Sequence, residues 1–211
     1  MARGSLSALI LHVHPRLVPE KATRIGYTWC LGGLALWMFL LEVFTGALLM
    51  LHYVPSTAEA YLSVQTITHV VEYGFFIRNL HYWCGQAMVL LVVLHMVRVF
   101  VSGAYAPPRR VNWLIGVGLL VGTLLVDFTG YLLVWDERAL WARTIARNLA
   151  IELPLVGGFA AQVVFGPEEV SDTAMVRLYA WHVILLPLSM GLLCGWHFWR
   201  IRKDGGVFGP L

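Results

Sequence analysis

Polar residues in this chain cluster in a few short stretches, and between them apolar residues run for about one membrane thickness four times. A membrane-spanning helix needs ~20 mostly apolar residues, and four segments meet that requirement. Helix A covers residues 25–53, with Glu42 as its only charge. Helix B covers 80–102 and has no formal charge before Arg98. Helix C covers 113–135, with Asp127 near its far end, and helix D covers 178–201. Helix D contains Pro187, which membrane helices tolerate. The connections A–B (54–79) and C–D (136–177) are long, whereas B–C (103–112) is short and broken by Pro107 and Pro108. Within C–D, residues 159–165 predict a short amphipathic helix in the interface, and residues 5–14 predict another on the opposite side. The expected organisation is an N-terminal amphipathic segment, 1–24, followed by one four-helix transmembrane domain, 25–211. The fold class is an all-α membrane protein without internal repeats.

Composition supports this pattern. The 211 residues are 59% apolar and 13% charged, against ~25% charged in a typical soluble domain. That excludes a disordered chain, a disulfide scaffold and most soluble enzymes. The three cysteines, Cys30, Cys84 and Cys194, form neither CxxC nor CxxCH, so no zinc or two-thioether haem motif is present. Residues 1–21 are too polar for a signal peptide. Ten of the fifteen basic residues fall on one side: Arg3, Arg16, Lys21 and Arg24, then Arg98, Arg109 and Arg110, then Arg200, Arg202 and Lys203. The positive-inside rule puts that side, and both termini, in the cytoplasm. Trp29, Trp113 and Trp199 are expected near that face, and Trp83, Trp135, Trp141 and Trp181 near the other. Membrane lipid is the expected surrounding, and no nucleic-acid partner is expected.

In this topology helices B and D run parallel. His81 and His182 lie near their starts, and His95 and His197 near their ends. The spacings of 14 and 15 residues correspond to about 21 and 22 Å of rise and return to within ~40° and ~60° of one helix face. Two such helices make two imidazole pairs, one near each membrane surface. An iron porphyrin with two axial imidazoles needs that arrangement. Helix A carries Gly32 and Gly46, and helix C carries Gly116 and Gly130, each pair fourteen apart. Glycines at this repeat let a flat macrocycle approach the backbone, although one such pair alone also suits tight helix packing. A single membrane histidine can be a hydrogen-bonded structural residue. Four at matched depth, in register with glycines, read as ligands. Arg78, Arg177 and Arg98 lie three, five and three residues from histidines. They suit haem propionates or serve as snorkelling interface arginines. His12, His14, His52 and His69 read as loop residues, Cys84 and Cys194 as packing, and Glu42 and Asp127 as near-surface or interhelical polar contacts.

Several motifs carry a family resemblance. They are Cys30-Leu-Gly-Gly33, Thr45-Gly46, Ile77-Arg-Asn-Leu-His81 and Leu94-His-Met-Val-Arg98. They continue with Thr129-Gly-Tyr-Leu-Leu-Val-Trp-Asp136, Arg177-Leu-Tyr-Ala-Trp-His182 and the tail His197-Phe-Trp-Arg-Ile-Arg-Lys203 with Gly209-Pro210-Leu211. Over nearly its whole length the chain resembles the cytochrome b6 type of cytochrome b, including the fourteen residues between His182 and His197. The resemblance implies a four-helix, haem-binding bundle of the cytochrome b N-terminal type. Two haems b would be held by His81 with His182 and by His95 with His197. It implies a third haem, of c type, on Cys30 through one thioether. It also implies a quinone site lined by Arg202 and a quinol-oxidising loop at Trp135 and Asp136.

The implied activity is that of a subunit in a quinol–cytochrome c or plastocyanin reductase, catalytically incomplete alone. The implied partners are a Rieske iron–sulfur protein, a c-type cytochrome, a three-helix subunit bearing the Pro-Glu-Trp-Tyr motif that is absent here, and a second copy of the complex. The N-terminal stretch looks more like bacterial relatives, which favours a bacterial plasma membrane over a thylakoid. Where the family has proline, this chain has Val134. That departure leaves open a quinone-facing haem anchor of another respiratory complex, without a Rieske partner. A haem-free transporter using Glu42 and Asp127 is the alternative from another class.

Overall fold

A computed structural model describes residues 25–204, and all regular structure among them is helical. The elements are α1 (Ile25–Thr28), α2 (Leu31–Met50), α3 (Ala60–His69), α4 (Gly74–Val101), α5 (Arg110–Leu132), α6 (Glu137–Ile151), α7 (Gly157–Phe165), α8 (Asp172–Ala180), a π-turn (Trp181–Leu185) and α9 (Leu186–Lys203). The helix expected over 5–14, His12, His14 and the closing Gly-Pro-Leu lie outside the described residues.

Four helices among the described residues are long and apolar enough to cross a membrane: α2, α4, α5 and the continuous stretch Asp172–Lys203. These are the expected spans A to D with different ends. Helices B and D begin earlier than hydropathy alone suggests, at Gly74 and Asp172, because a helix continues into the polar interface after its apolar run has ended. Ser171 caps the start of α8, its side chain accepting from the Ala174 N–H at 3.4 Å, as short hydroxylated residues do. Span A is not one helix from residue 25. It breaks at Trp29 and Cys30, both left-handed with φ 53°, a conformation costing about 1–3 kcal/mol per non-glycine residue. His69, expected in a loop, closes α3.

Span D contains the π-turn around His182. A π-turn inserts one extra residue into a helix. It absorbs the one residue by which the His182–His197 spacing exceeds that of His81–His95.

Only 6–11% of each span's most apolar window is buried. Side chains such as Phe44, Phe76, Leu90 and Leu192 stand outside any protein cover. Such continuous apolar surface belongs in lipid or against partner helices, so the chain is an integral membrane protein.

The chain divides into two compact units. One contains Met1–Trp37, Met88–Thr123 and Ser189–Leu211, and the other Met38–Ala87 and Leu124–Leu188. In the first, Met190 packs onto Gly122, where an added Cβ would lie 3.2 Å from its Cγ. Phe100, Tyr105 and Trp113 cluster at the B–C corner, with ring centres 5.4–6.4 Å apart. Asp204 pairs with Arg200 at 2.9 Å.

The second unit is built on Ala60, Leu132, Leu133, Trp135, Phe165, Met175 and Leu178. Trp135 is therefore a core residue, 6% exposed. Its left-handed backbone, φ 56°, ends the turn after α5 and directs the ring inward. Tyr53 stacks on Tyr179 with ring centres 5.6 Å apart and donates its hydroxyl to the Leu133 carbonyl at 2.7 Å. Burial, aided by Tyr179, raises the Tyr53 phenol above its ordinary pKa.

The C–D connection contains the expected short helix, α7, and also α6, which the apolar pattern missed because only one face of α6 is covered. Arg143 on α6 is 1% exposed. It donates to the carbonyls of Phe165 at 3.0 Å and Pro167 at 2.5 Å, closing the end of α7. Its burial, with Arg147 nearby, lowers its pKa from the ordinary arginine value. Charged hydrogen bonds contribute about 1.5–3 kcal/mol each. Arg143→Leu should therefore destabilise the fold by roughly 2–4 kcal/mol. Thermal denaturation in detergent, with faster proteolysis between α6 and α8, measures this.

Candidate haem-binding site

The four histidines meet the four glycines one to one. In the second unit, an ideal Cβ on Gly46 would lie 3.2 Å from His81 Cε1, and one on Gly130 would lie 2.6 Å from His182 Cε1. In the first unit, Gly32 faces His95 Cε1 at 3.2 Å and Gly116 faces His197 Cε1 at 3.6 Å. The glycine repeat suggests room for a macrocycle, and in this structure each of these glycines faces the edge of an imidazole. The physical reason is hydrogen bonding: without a Cβ in the way, a ring can reach the backbone and hydroxyl acceptors of the helix beside it.

Those acceptors are specific in the second unit. His182 Nδ1 lies 3.0 Å from the Val126 carbonyl and 3.2 Å from Thr129 Oγ1. His81 Nδ1 lies 2.8 Å from Thr45 Oγ1 and 3.0 Å from Glu42 Oε2. Both hydroxyls are already donors, Thr45 to the Leu41 carbonyl at 2.7 Å and Thr129 to the Leu125 carbonyl at 2.9 Å. Each therefore offers the histidine a lone pair, and Nδ1 carries the proton. That assignment leaves Nε2 unprotonated and free to ligate. In the first unit His197 is turned toward the Asn112 carbonyl, but its Nδ1 is buried without a sound hydrogen bond. His95 lies within its electrostatic reach.

An iron porphyrin fits the His81–His182 pair. A metal–imidazole bond of about 2 Å, with the ring centre ~1 Å behind the nitrogen, sets trans imidazole centres about 6 Å apart. The two ring centres are 6.2 Å apart, with the planes at 80°. Among the described residues no cluster of three or more His, Cys, Asp and Glu suits a bare metal ion, and axial ligation of a macrocycle needs only two.

The sequence matches the family described as cytochrome b/b6/petB over residues 17–205. The chain belongs to the cytochrome b/b6 family. It is 43% identical to cytochrome b6 of Heliobacterium mobile over 193 residues, covering 91% of this chain and 88% of that one. It is 38% identical to cytochrome b6 of Synechococcus elongatus over 209 residues, covering 99% and 95%. Among solved structures, a chain titled "Hyperthermophilic respiratory Complex III" superposes with a TM-score of 0.74 at 28% identity. That match covers 84% of this chain and 48% of the other, so the chain spans about half the length of that structural relative. Membership of the cytochrome b family brings haem b binding with it.

For a cytochrome b, the other site candidates lie as follows. Arg78 and Arg177 are half-buried on α4 and α8, and Arg177 donates to the Gln162 carbonyl. Arg98 and Arg202 are half-buried on α4 and α9. Cys30 is exposed in the break before α2, its N–H donating to Thr28 Oγ1 at 3.3 Å. Asp136 caps α6, accepting from the Ala139 N–H at 2.8 Å, next to the buried Trp135.

Two participants were missed from sequence, the hydroxyls of Thr45 and Thr129. Their signal was present as a Thr-Gly dipeptide repeated at 45–46 and 129–130. Glu42 makes an interhelical polar contact, as one of the sequence readings had it: from α2 its Oε2 lies 3.0 Å from His81 Nδ1 on α4.

The Cβ distances predict a graded series. Gly130→Ala should displace His182, at about 1–3 kcal/mol of overpacking, and abolish the signal of any haem b held by that histidine. Gly46→Ala and Gly32→Ala should lower haem content partially, and Gly116→Ala should keep it. Haem per chain from reduced-minus-oxidised spectra ranks the four.

Proposed function

We propose that the chain is the dihaem cytochrome b subunit of a quinol–cytochrome c or plastocyanin-type oxidoreductase. In this role it carries electrons across the membrane between a quinol-oxidising and a quinone-reducing site, coupled to proton translocation. The observation that carries this reading is the His81–His182 pair, set on Gly46 and Gly130 at the ring separation that two axial ligands require. His81 and His182 hold one haem b, and His95 and His197 hold a second. Bound haem supplies reversible one-electron chemistry at its iron.

The chain's own residues prepare the sites. Thr45 and Thr129 fix the ring orientation and tautomer of their histidines. The four glycines set how deeply each ring enters. Arg78, Arg177 and Arg98 are placed to neutralise propionates at the edge of a low-dielectric region. The apolar spans exclude water from the ligands. Cys30, an exposed thiol outside the helical ladder, attaches a haem c through one thioether. Arg202 lines the quinone-reducing site, and quinone is the substrate there. Trp135 and Asp136 belong to the loop of the quinol-oxidising site, made less rigid by Val134.

The subunit works with a Rieske protein, a c-type cytochrome and a three-helix partner bearing Pro-Glu-Trp-Tyr, in a dimeric complex. Residues 1–24 form a cytoplasmic-side segment and 25–211 the dihaem domain. The distribution of basic residues supports both termini in the cytoplasm, and the likeness of the N-terminal stretch to bacterial relatives supports a bacterial plasma membrane.

His182→Leu should remove one b-type haem from the reduced-minus-oxidised spectrum, and an unchanged two-haem spectrum overturns the ligand assignment. On a denaturing gel the wild-type chain should stain for haem peroxidase activity, and Cys30→Ala should lose the stain while keeping both b-type haems. Absence of stain in the wild type removes the haem c.

A further inference from the structure

His81 differs from His182 and His197 in what its remote nitrogen meets. His182 Nδ1 has only neutral oxygens nearby, at 3.0 and 3.2 Å. His197 Nδ1 is buried without a hydrogen-bond partner. His81 Nδ1 lies 3.0 Å from a carboxyl oxygen, Glu42 Oε2. Glu42 is the only charged residue in α2, and its side chain is 15% exposed. An acid in a membrane span is costly and is usually held by a partner or a function. Its other oxygen, Oε1, is buried without a hydrogen bond and lies toward Gly85, where an added Cβ would sit 3.8 Å from it. On the same glycine, Asp127 Oδ1 would be 3.4 Å away, held by Gln86 Nε2 at 3.1 Å. Asp127 is thus beside Glu42 but has its own donor. The His81 ring is what Glu42 directly engages.

We propose that Glu42 is a positioning and tuning residue for His81, its carboxyl oxygen accepting the Nδ1–H and making that imidazole a stronger electron donor than its partner His182. The inference rests on His81 and His182 holding a haem b. A ligating histidine whose remote N–H is shared with a carboxylate gains basicity, and such charge-assisted bonds are roughly twice as strong as neutral ones. A more basic ligand favours the oxidised, more positive iron, and axial ligation is one of the means by which a protein sets haem potential. Thr45 makes the effect separable from folding. Its hydroxyl stays fixed by donating to the Leu41 carbonyl at 2.7 Å and keeps a neutral acceptor 2.8 Å from the same nitrogen. Replacing the carboxyl by an amide should therefore change the potential without releasing the ring.

The test is a redox titration of the haem-loaded full chain in its complex, comparing wild type with Glu42→Gln and Asp127→Asn. In Glu42→Gln both b-type haems should remain. One should become easier to reduce by about tenfold in its equilibrium, which is about 59 mV for one electron, while the other stays in place. Asp127→Asn should leave both potentials nearly unchanged. An unmoved potential in Glu42→Gln, or an equal shift in Asp127→Asn, overturns the proposal. A wild type lacking two b-type haems would instead overturn the ligand assignment, before any variant is compared. A second measurement needs no variant. In the reduced, diamagnetic wild type with 15N-labelled histidine, one Nδ1–H resonance should lie downfield of the other ligand resonances. Ligand resonances without such an outlier overturn the proposal, even if Glu42→Gln fails to assemble.

Discussion

The arrangement of this cytochrome b depends on an imidazole edge lying where a helix has no side chain. A membrane span has little else with which to orient a polar ring. Lipid supplies no hydrogen bonds, and the backbone is already committed to its own ladder. A glycine exposes that ladder locally, and the ring can then share a carbonyl or a threonine hydroxyl that the helix has already fixed. Ring direction is thereby set by backbone carbonyls and by threonine hydroxyls that the backbone has fixed. Three of the rings turn toward the carbonyl four residues before their glycine: Glu42 for His81, Val126 for His182 and Asn112 for His197. The same local geometry thus recurs on different spans.

The two units do not use this device equally. In the second unit, each histidine has a threonine beside its glycine and a hydrogen-bonded Nδ1. In the first, Leu31 and Ile115 precede the glycines, and His197 has no hydrogen bond at Nδ1. The same glycine device therefore leaves the two pairs of imidazoles with different hydrogen bonding at Nδ1.

The spans and their histidine and glycine registers were legible because they depend on periodicity and on apolar length, both written directly in the chain. What escaped depends on local conformation. Trp29 and Cys30 adopt left-handed angles that neither residue type signals, so a continuous helix was expected where there is a break. The π-turn at Trp181–Leu185 leaves no compositional trace, although the extra residue between His182 and His197 was its arithmetic sign. Trp135 has a reversed φ that the sequence does not signal, and its ring joins the core. α6 was missed because its apolar positions are interrupted by the arginines that hold α7. That Glu42 makes an interhelical contact was legible, but its partner, His81, was not.

The break before α2 has a consequence for assembly. The Cys30 carbonyl accepts the Leu34 N–H at 2.8 Å and so starts the helical ladder, while its thiol is exposed. A substituent on that sulfur would leave this hydrogen bond, and with it the first turn of α2, in place.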